Sequence, residues 1–158
     1  AGTFRKSTNS GTITIGTGIP FNNSGTVEIR NGKLAVNGGY ISSSNALLNC
    51  ALGGTTSGTN YGQLQVAGAV TLNGALSVDL TNGFSPALND SFTVVSGAHS
   101  GTFANFHYPS NTVMMQMSNT PNSVLVRVTG LVSPEPIFLP PELSSSNITL
   151  IWTAVWMH

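Results

Sequence analysis

An all-β chain of short, stacked strands is what this sequence predicts, and three observations carry the prediction. Glycine recurs every six residues through residues 61–80 (YGQLQVAGAVTLNGALSVDL), at Gly62, Gly68 and Gly74. Between the glycines, apolar residues stand two apart: Leu64 and Val66, Val70 and Leu72, then Leu76, Val78 and Leu80. That period of two is the signature of a strand with one face inward. Charged residues are only 6% of the 158, against about 25% in an ordinary domain, so Ser, Thr, Asn and Gly must cover the surface. Short strands entered in succession through glycine suit three-sided coils better than long hairpins.

The pattern begins near the start of the chain. Asn9-Ser10-Gly11-Thr12-Ile13-Thr14-Ile15 recurs fourteen residues later as Asn23-Ser24-Gly25-Thr26-Val27-Glu28-Ile29. Each copy is a polar turn followed by a strand with β-branched residues at alternate positions. Glycine serves these turns because it takes positive φ without a steric penalty. Residues 33–36 form the next strand, after an Asn31-Gly32 turn and before Asn37, Gly38 and Gly39. Strands this short need to stack on copies of themselves.

Residues 40–60 interrupt the rhythm. Ala46 to Leu52 suits a strand or cap better than a helical turn, given its length and the glycines that follow. Residues 53–60 contain no large apolar residue and read as a loop. Later units are longer. Residues 91–96 make a strand with Phe92 and Val94 on one face, and residues 101–106 make a short unit. Residues 113–117 and 124–128 make a hairpin whose apolar residues on both faces suit the closing of a core end, as an exposed sheet edge requires. Residues 1–130 form the main module. Residues 131–142, with Pro134, Pro136, Pro140 and Pro141, form an extended linker. Residues 143–158 carry a further strand pattern. Left bare, Ile148, Leu150, Trp152 and Trp156 would invite aggregation, so residues 146–156 are expected to pair along a sheet edge, in this chain or a neighbouring one.

The units Gly62-Gln63-Leu64-Gln65-Val66-Ala67-Gly68, Leu72-Asn73-Gly74-Ala75-Leu76-Ser77-Val78-Asp79-Leu80, Asn89-Asp90-Ser91-Phe92 and Gly101-Thr102-Phe103 resemble the repeat of autotransporter-type passenger domains and related bacterial surface proteins. The resemblance spans roughly a third of the chain and implies a right-handed parallel β-helix, here a short solenoid of about five coils. Passengers carry many more coils. Leu150-Ile151-Trp152-Thr153-Ala154-Val155 is similar to an early strand of a fibronectin type III-like domain, cut far short of the ~100 residues of such a sandwich. Together the likenesses imply a modular secreted bacterial protein, and the arrangement resembles carbohydrate-binding modules of polysaccharide-degrading enzymes.

Composition narrows the function. Net charge is zero and no basic run exceeds Arg5-Lys6, which excludes nucleic-acid binding by phosphate neutralisation. No apolar run reaches the ~20 residues of a membrane span. The sequence shows no leader, yet its composition is that of an extracellular protein, secreted or on the cell surface. The single cysteine, Cys50, lies among Leu47, Leu48, Ala51 and Leu52 and reads as a buried, inert thiol.

Catalysis has little to work with. Asp79 should point outward and Asp90 sits in a turn, with no pair spaced for glycoside cleavage. His99 and His107 make no metal spacing with each other or with Cys50. No cofactor is expected. Asp79, Asp90 and backbone carbonyls are the candidate ligands of a structural calcium, without the acidic density such a loop needs. Sugar recognition needs flat aromatic faces with neighbouring amides and hydroxyls. The candidate carbohydrate-binding residues are Tyr40, Asn60, Tyr61, Gln63, His107 and Tyr108, with Tyr40 and Tyr61 bordering one loop-built surface. Phe84, Phe92, Phe103 and Phe106 are expected in the core. Two functions follow, with a lyase or hydrolase as a third and weaker reading. One is a non-catalytic module that binds a neutral plant polysaccharide such as xylan or glucan. The other is a structural stalk or adhesin segment, and self-association through the tail is compatible with either.

Overall fold

The computed structural model describes residues 1–7, 10–133, 137–138 and 154–155. Among them are strands, turns and loops and no helix. In chain order the strands are β1 (Thr3–Lys6), β2 (Thr12–Ile15), β3 (Phe21–Asn23), β4 (Thr26–Ile29), β5 (Lys33–Val36), β6 (Tyr40–Ser42), β7 (Leu47–Leu52), β8 (Gln63–Val66), β9 (Val70–Leu72), β10 (Ala75–Leu80), β11 (Ser91–Ser96), β12 (His99–Gly101), β13 (Asn105–His107), β14 (Val113–Thr120), β15 (Ser123–Leu131), β16 (Ile137–Phe138) and β17 (Ala154–Val155).

The protein is all-β and built on parallel sheets. Sheet A has the order β1-β4-β7-β10-β13 and is parallel throughout. Sheet B runs β2-β5-β8-β11 in parallel and then adds β15 and β14 in antiparallel fashion. Sheet C runs β3-β6-β9-β12, again parallel. From β2 to β13 the chain visits B, C and A in rotation. The six-residue glycine spacing marks one such circuit, since Gly62, Gly68 and Gly74 precede β8, β9 and β10, one strand of each sheet. A methyl group on any of the three would collide with a backbone carbonyl of the preceding circuit, that of Ile29, Gly38 or Ala46. Adjacent circuits come this close because those positions have no side chain.

Strand register lines the apolar residues up in rows. Sheet A contributes Phe4, Val27, Leu48, Leu76 and Phe106 as one row, and Ile29, Cys50 and Val78 as another. Sheet B contributes Ile13, Leu34, Leu64 and Val95. Sheet C contributes Phe21, Tyr40, Val70 and His99. The rows meet in one continuous core.

Several expectations are met and several are corrected. Residues 47–52 are a strand, and the hairpin β14–β15 closes one end of sheet B. The fourteen-residue recurrence does not stack on itself: β2 lies in sheet B and β4 in sheet A. Each instead packs on the strand one full circuit away. Val95 joins Phe92 and Val94 in the core, because a bulge between Thr93 and Val95 shifts the alternation. At the tail, Ala154–Val155 pairs antiparallel with Ile137–Phe138, inside the expected linker, so these two residues do not extend an edge of sheets A, B or C. The four linker prolines, Trp152, Trp156 and the rest of the expected fibronectin-like segment lie outside the described residues.

Candidate functional site

The six expected sugar-binding residues do not converge. Tyr40 is fully buried in sheet C, where Phe21 stacks on its ring at 5.9 Å and 14°. Its hydroxyl accepts a hydrogen bond from Asn23 Nδ2 at 3.0 Å, and burial pushes the phenol up to about 12. Tyr61 is also buried. Residues 53–60 fold back so that Leu52 and Tyr61 bridge antiparallel and the Gly53 N–H donates to the Asn60 carbonyl at 2.8 Å. This turns the Tyr61 ring edge-on to Phe92, at 5.4 Å and 89°, and its hydroxyl accepts from the Thr93 N–H at 3.2 Å. The expected loop-built surface bordered by Tyr40 and Tyr61 is therefore corrected, since neither presents a ring face to solvent.

Gln63 is buried as well, and its amide is used internally: Nε2 donates to the Thr93 carbonyl at 3.0 Å and Oε1 accepts from Ser57 Oγ at 2.9 Å. That leaves Asn60 and His107 exposed, on different parts of the chain, and Tyr108 half-buried with its ring tilted on Phe106 at 5.2 Å. Among the expected core phenylalanines, Phe92 and Phe103 are buried, while Phe84 and Phe106 pack against the core from its margin.

A feature the sequence reading missed lies on the outer face of sheet A. Strand register aligns Arg5, Glu28, Asn49, Ser77 and His107, one from each strand. Glu28 accepts hydrogen bonds from Arg5 Nε and from Arg30 Nε, the latter at 2.6 Å, while both arginine side chains stay about half exposed, at 55% and 50%. Burial by itself would raise the Glu28 carboxyl, but the two arginine hydrogen bonds and charges outweigh it and hold the group below its ordinary value. Farther along, Asn49 Nδ2 donates to Asp79 Oδ2 at 2.8 Å. Arg5 and Glu28 stand 23 residues apart, the separation of one circuit. That period was the signal that could have paired them.

No catalytic arrangement emerges from the remaining groups. Asp90 closes a turn by accepting from the Ala87 N–H at 2.9 Å. Cys50 is buried, and desolvation pushes its thiol up to about 12. His99 Nε2 faces the Ser123 carbonyl at 3.3 Å and so carries the proton there; Nδ1 is buried with no partner among the described residues. Two open hollows flank the sheets. One, of about 270 Å³, is lined by residues 2–4 and 21–27, and the other, of about 480 Å³, by residues 67–70, 98–100 and Pro121. Neither contains a carboxylate. No group of three His, Cys, Asp or Glu side chains among the described residues could hold a metal ion, and no helix is long and apolar enough to cross a membrane.

These features define an all-β protein of parallel sheets without a concave, chemically armed site among the described residues. No protein-family model matches the chain, no curated protein matches it, and no solved structure matches it.

Proposed function

We propose that the chain is a structural, non-catalytic module, a stiff stalk or adhesin segment of a secreted or surface-attached bacterial protein. We further infer that its circuits wind as a right-handed parallel β-helix of about five coils. The observation that carries the functional reading is the use of Tyr40, Tyr61 and Gln63 as interior parts. The residues best suited to grip a sugar have their rings and amides occupied by the protein itself. What remains outside is a polar surface of low charge, suited to solvation beside neutral matter.

Polysaccharide binding stands as a second reading because of one observation: exposed His107 ends the polar row of sheet A, next to Ser77, and the half-buried Tyr108 follows it in the chain with its ring packed on Phe106. A neutral xylan or glucan laid along that row would meet a line of hydrogen-bonding groups, with the half-buried ring of Tyr108 just past its end. Affinity gel electrophoresis against soluble xylan and glucans separates the two. The structural reading expects unretarded migration on every glycan. Retardation that disappears in Tyr108→Ala would replace it with the second reading.

A further inference from the structure

The low charge of the chain is not evenly spread. Residues 1–33 hold four of the five Lys and Arg residues, Arg5, Lys6, Arg30 and Lys33, and a single acidic residue, Glu28. Strand order gathers these groups at one corner, where sheet A hands the chain on to sheet B: Arg5 and Lys6 end β1, Arg30 follows β4 and Lys33 opens β5. Lys6 is buried, and the stem of Lys33 lies against Gly58. Arg5 and Arg30 stay about half exposed while their Nε groups hold the two oxygens of Glu28, Oε2 and Oε1. Glu28 is buried, and the arginines keep its carboxyl below the ordinary value, so it is ionised at neutral pH. Two guanidinium groups against one carboxylate leave the cluster with one positive charge in excess.

We propose that this cluster binds the single negative charge of a carboxylate or sulfate ester carried on an acidic polysaccharide. Each guanidinium spends its Nε on Glu28 and keeps two terminal NH2 groups, the donors that an oxyanion accepts from. Much of the rotamer freedom that an arginine loses on gripping an anion has already been lost to Glu28, so the pair is pre-organised. A monoanion cancels the excess charge. Both arginines belong to the outer face of sheet A, at right angles to the stacking direction, so strands stacked before β1 would lengthen the row without roofing it.

Charge also sets the path of a polymer. Farther along sheet A, Asp79, held by Asn49, is negative. Lys33 is three residues from Arg30, across the Asn31-Gly32 turn and at most ~10 Å of chain away. Successive anionic groups would therefore cross the corner from sheet A to sheet B. Duplex nucleic acid, whose affinity grows with the number of phosphates neutralised, would find too few cations here. The site goes beyond the structural reading: it gives an adhesin segment a ligand of stated charge, on residues that reading does not use.

Isothermal titration calorimetry on the full chain, against polygalacturonate and dextran sulfate, tests the site, with methyl-esterified polygalacturonate and dextran as uncharged counterparts. At ~20 mM salt, at least one acidic polymer should bind with a dissociation constant on the order of 0.1–1 mM per site, the tighter one identifying the preferred group, and neither uncharged polymer should bind. Raising salt to ~200 mM should weaken binding about tenfold. Arg5→Gln and Arg30→Gln should each weaken it about fivefold or more; each leaves the other arginine on Glu28, and far-UV circular dichroism reports the fold. Arg30→Lys keeps the charge and should lose less than Arg30→Gln. Arg127→Gln removes an equal charge elsewhere, where Nη2 donates to Asn89 Oδ1 at 2.7 Å, and should change nothing. Binding of neither acidic polymer overturns the proposal and leaves the structural reading standing. Equal binding of the uncharged counterparts overturns it in favour of neutral-glycan recognition, and a loss in Arg127→Gln as large as in Arg5→Gln and Arg30→Gln overturns it in favour of undirected charge attraction.

Discussion

Replacing Tyr40 or Tyr61 by alanine should unfold the protein more readily, and the size of the effect follows from where the rings lie. Tyr40 is 0% and Tyr61 3% exposed. Truncating a buried aromatic residue to alanine costs ~3–5 kcal/mol, through lost transfer energy and the cavity left behind. Tyr40→Ala also removes the stack on Phe21 and the acceptor for Asn23 Nδ2, which keeps only the Leu47 carbonyl at 3.2 Å. Tyr40→Phe leaves the volume in place and deletes one hydrogen bond, worth ~1 kcal/mol. With a urea m-value of ~2 kcal/mol/M, the alanine variants should lower the unfolding midpoint by ~2 M and Tyr40→Phe by ~0.5 M. Tyr108→Ala, half-buried at the margin, should shift it by less than either alanine variant. Equilibrium urea unfolding followed by far-UV circular dichroism makes the measurement. Midpoints within ~0.3 M of the parent for both Tyr40→Ala and Tyr61→Ala would mean that the rings are not packed, and the interior assignment would fall with the functional reading built on it.

Two further outcomes are expected. Gly62→Ala should destabilise by ~1–3 kcal/mol or more, because its methyl group would press on the Ile29 carbonyl, whereas Gly16→Ala, with open space around it, should stay within ~0.5 kcal/mol of the parent in thermal melts at low concentration. Alkali should weaken the fold: burial raises the Cys50 thiol from 9.0 and the Tyr40 phenol from 10.0, each to about 12. Both folded values exceed the unfolded ones, so their contribution is full below about pH 9 and is lost as pH rises toward 12. Melting temperatures should fall across that window, with a shallower slope in Cys50→Ala. A flat profile would contradict the burial of both groups.

How much of this was legible in the sequence depends on which rule each residue obeyed. Gly62, Gly68 and Gly74 were readable because contact between circuits forbids a side chain there, and the alternating Leu and Val residues because each strand has an inside and an outside. The partner of a strand was not readable. β2 and β4 carry the same pattern yet belong to different sheets, since inward alternation is identical in all three and turn lengths decide which strand falls beneath which. Tyr40 shows a second limit. In Tyr40-Ile41-Ser42 hydropathy favours Ile41 inward, but Ile41 is 47% exposed while Tyr40 and Ser42 are buried. Asn23 satisfies the phenol and the Asn73 carbonyl accepts the Ser42 hydroxyl at 2.9 Å. Polar tips with partners one circuit away can be buried at little cost, and such partners cannot be identified before the circuit length is known. The same ignorance hid the Arg5–Glu28–Arg30 cluster.

The dimensions of the ladder bear on what a structural module of this kind can do. Five strands of sheet A at ~4.8 Å spacing span only ~19 Å, although the chain from β1 to β13 would reach more than ten times farther if extended at ~3.3 Å per residue. Reach is therefore not what this fold provides. It provides stiffness, because bending the stack must break parallel hydrogen bonds in three sheets at once and open a core whose rows run through every circuit. It also provides faces on which each circuit places one residue in line with the last, as Arg5, Glu28, Asn49, Ser77 and His107 are placed. A spacer built this way lengthens only by adding circuits or by joining ends.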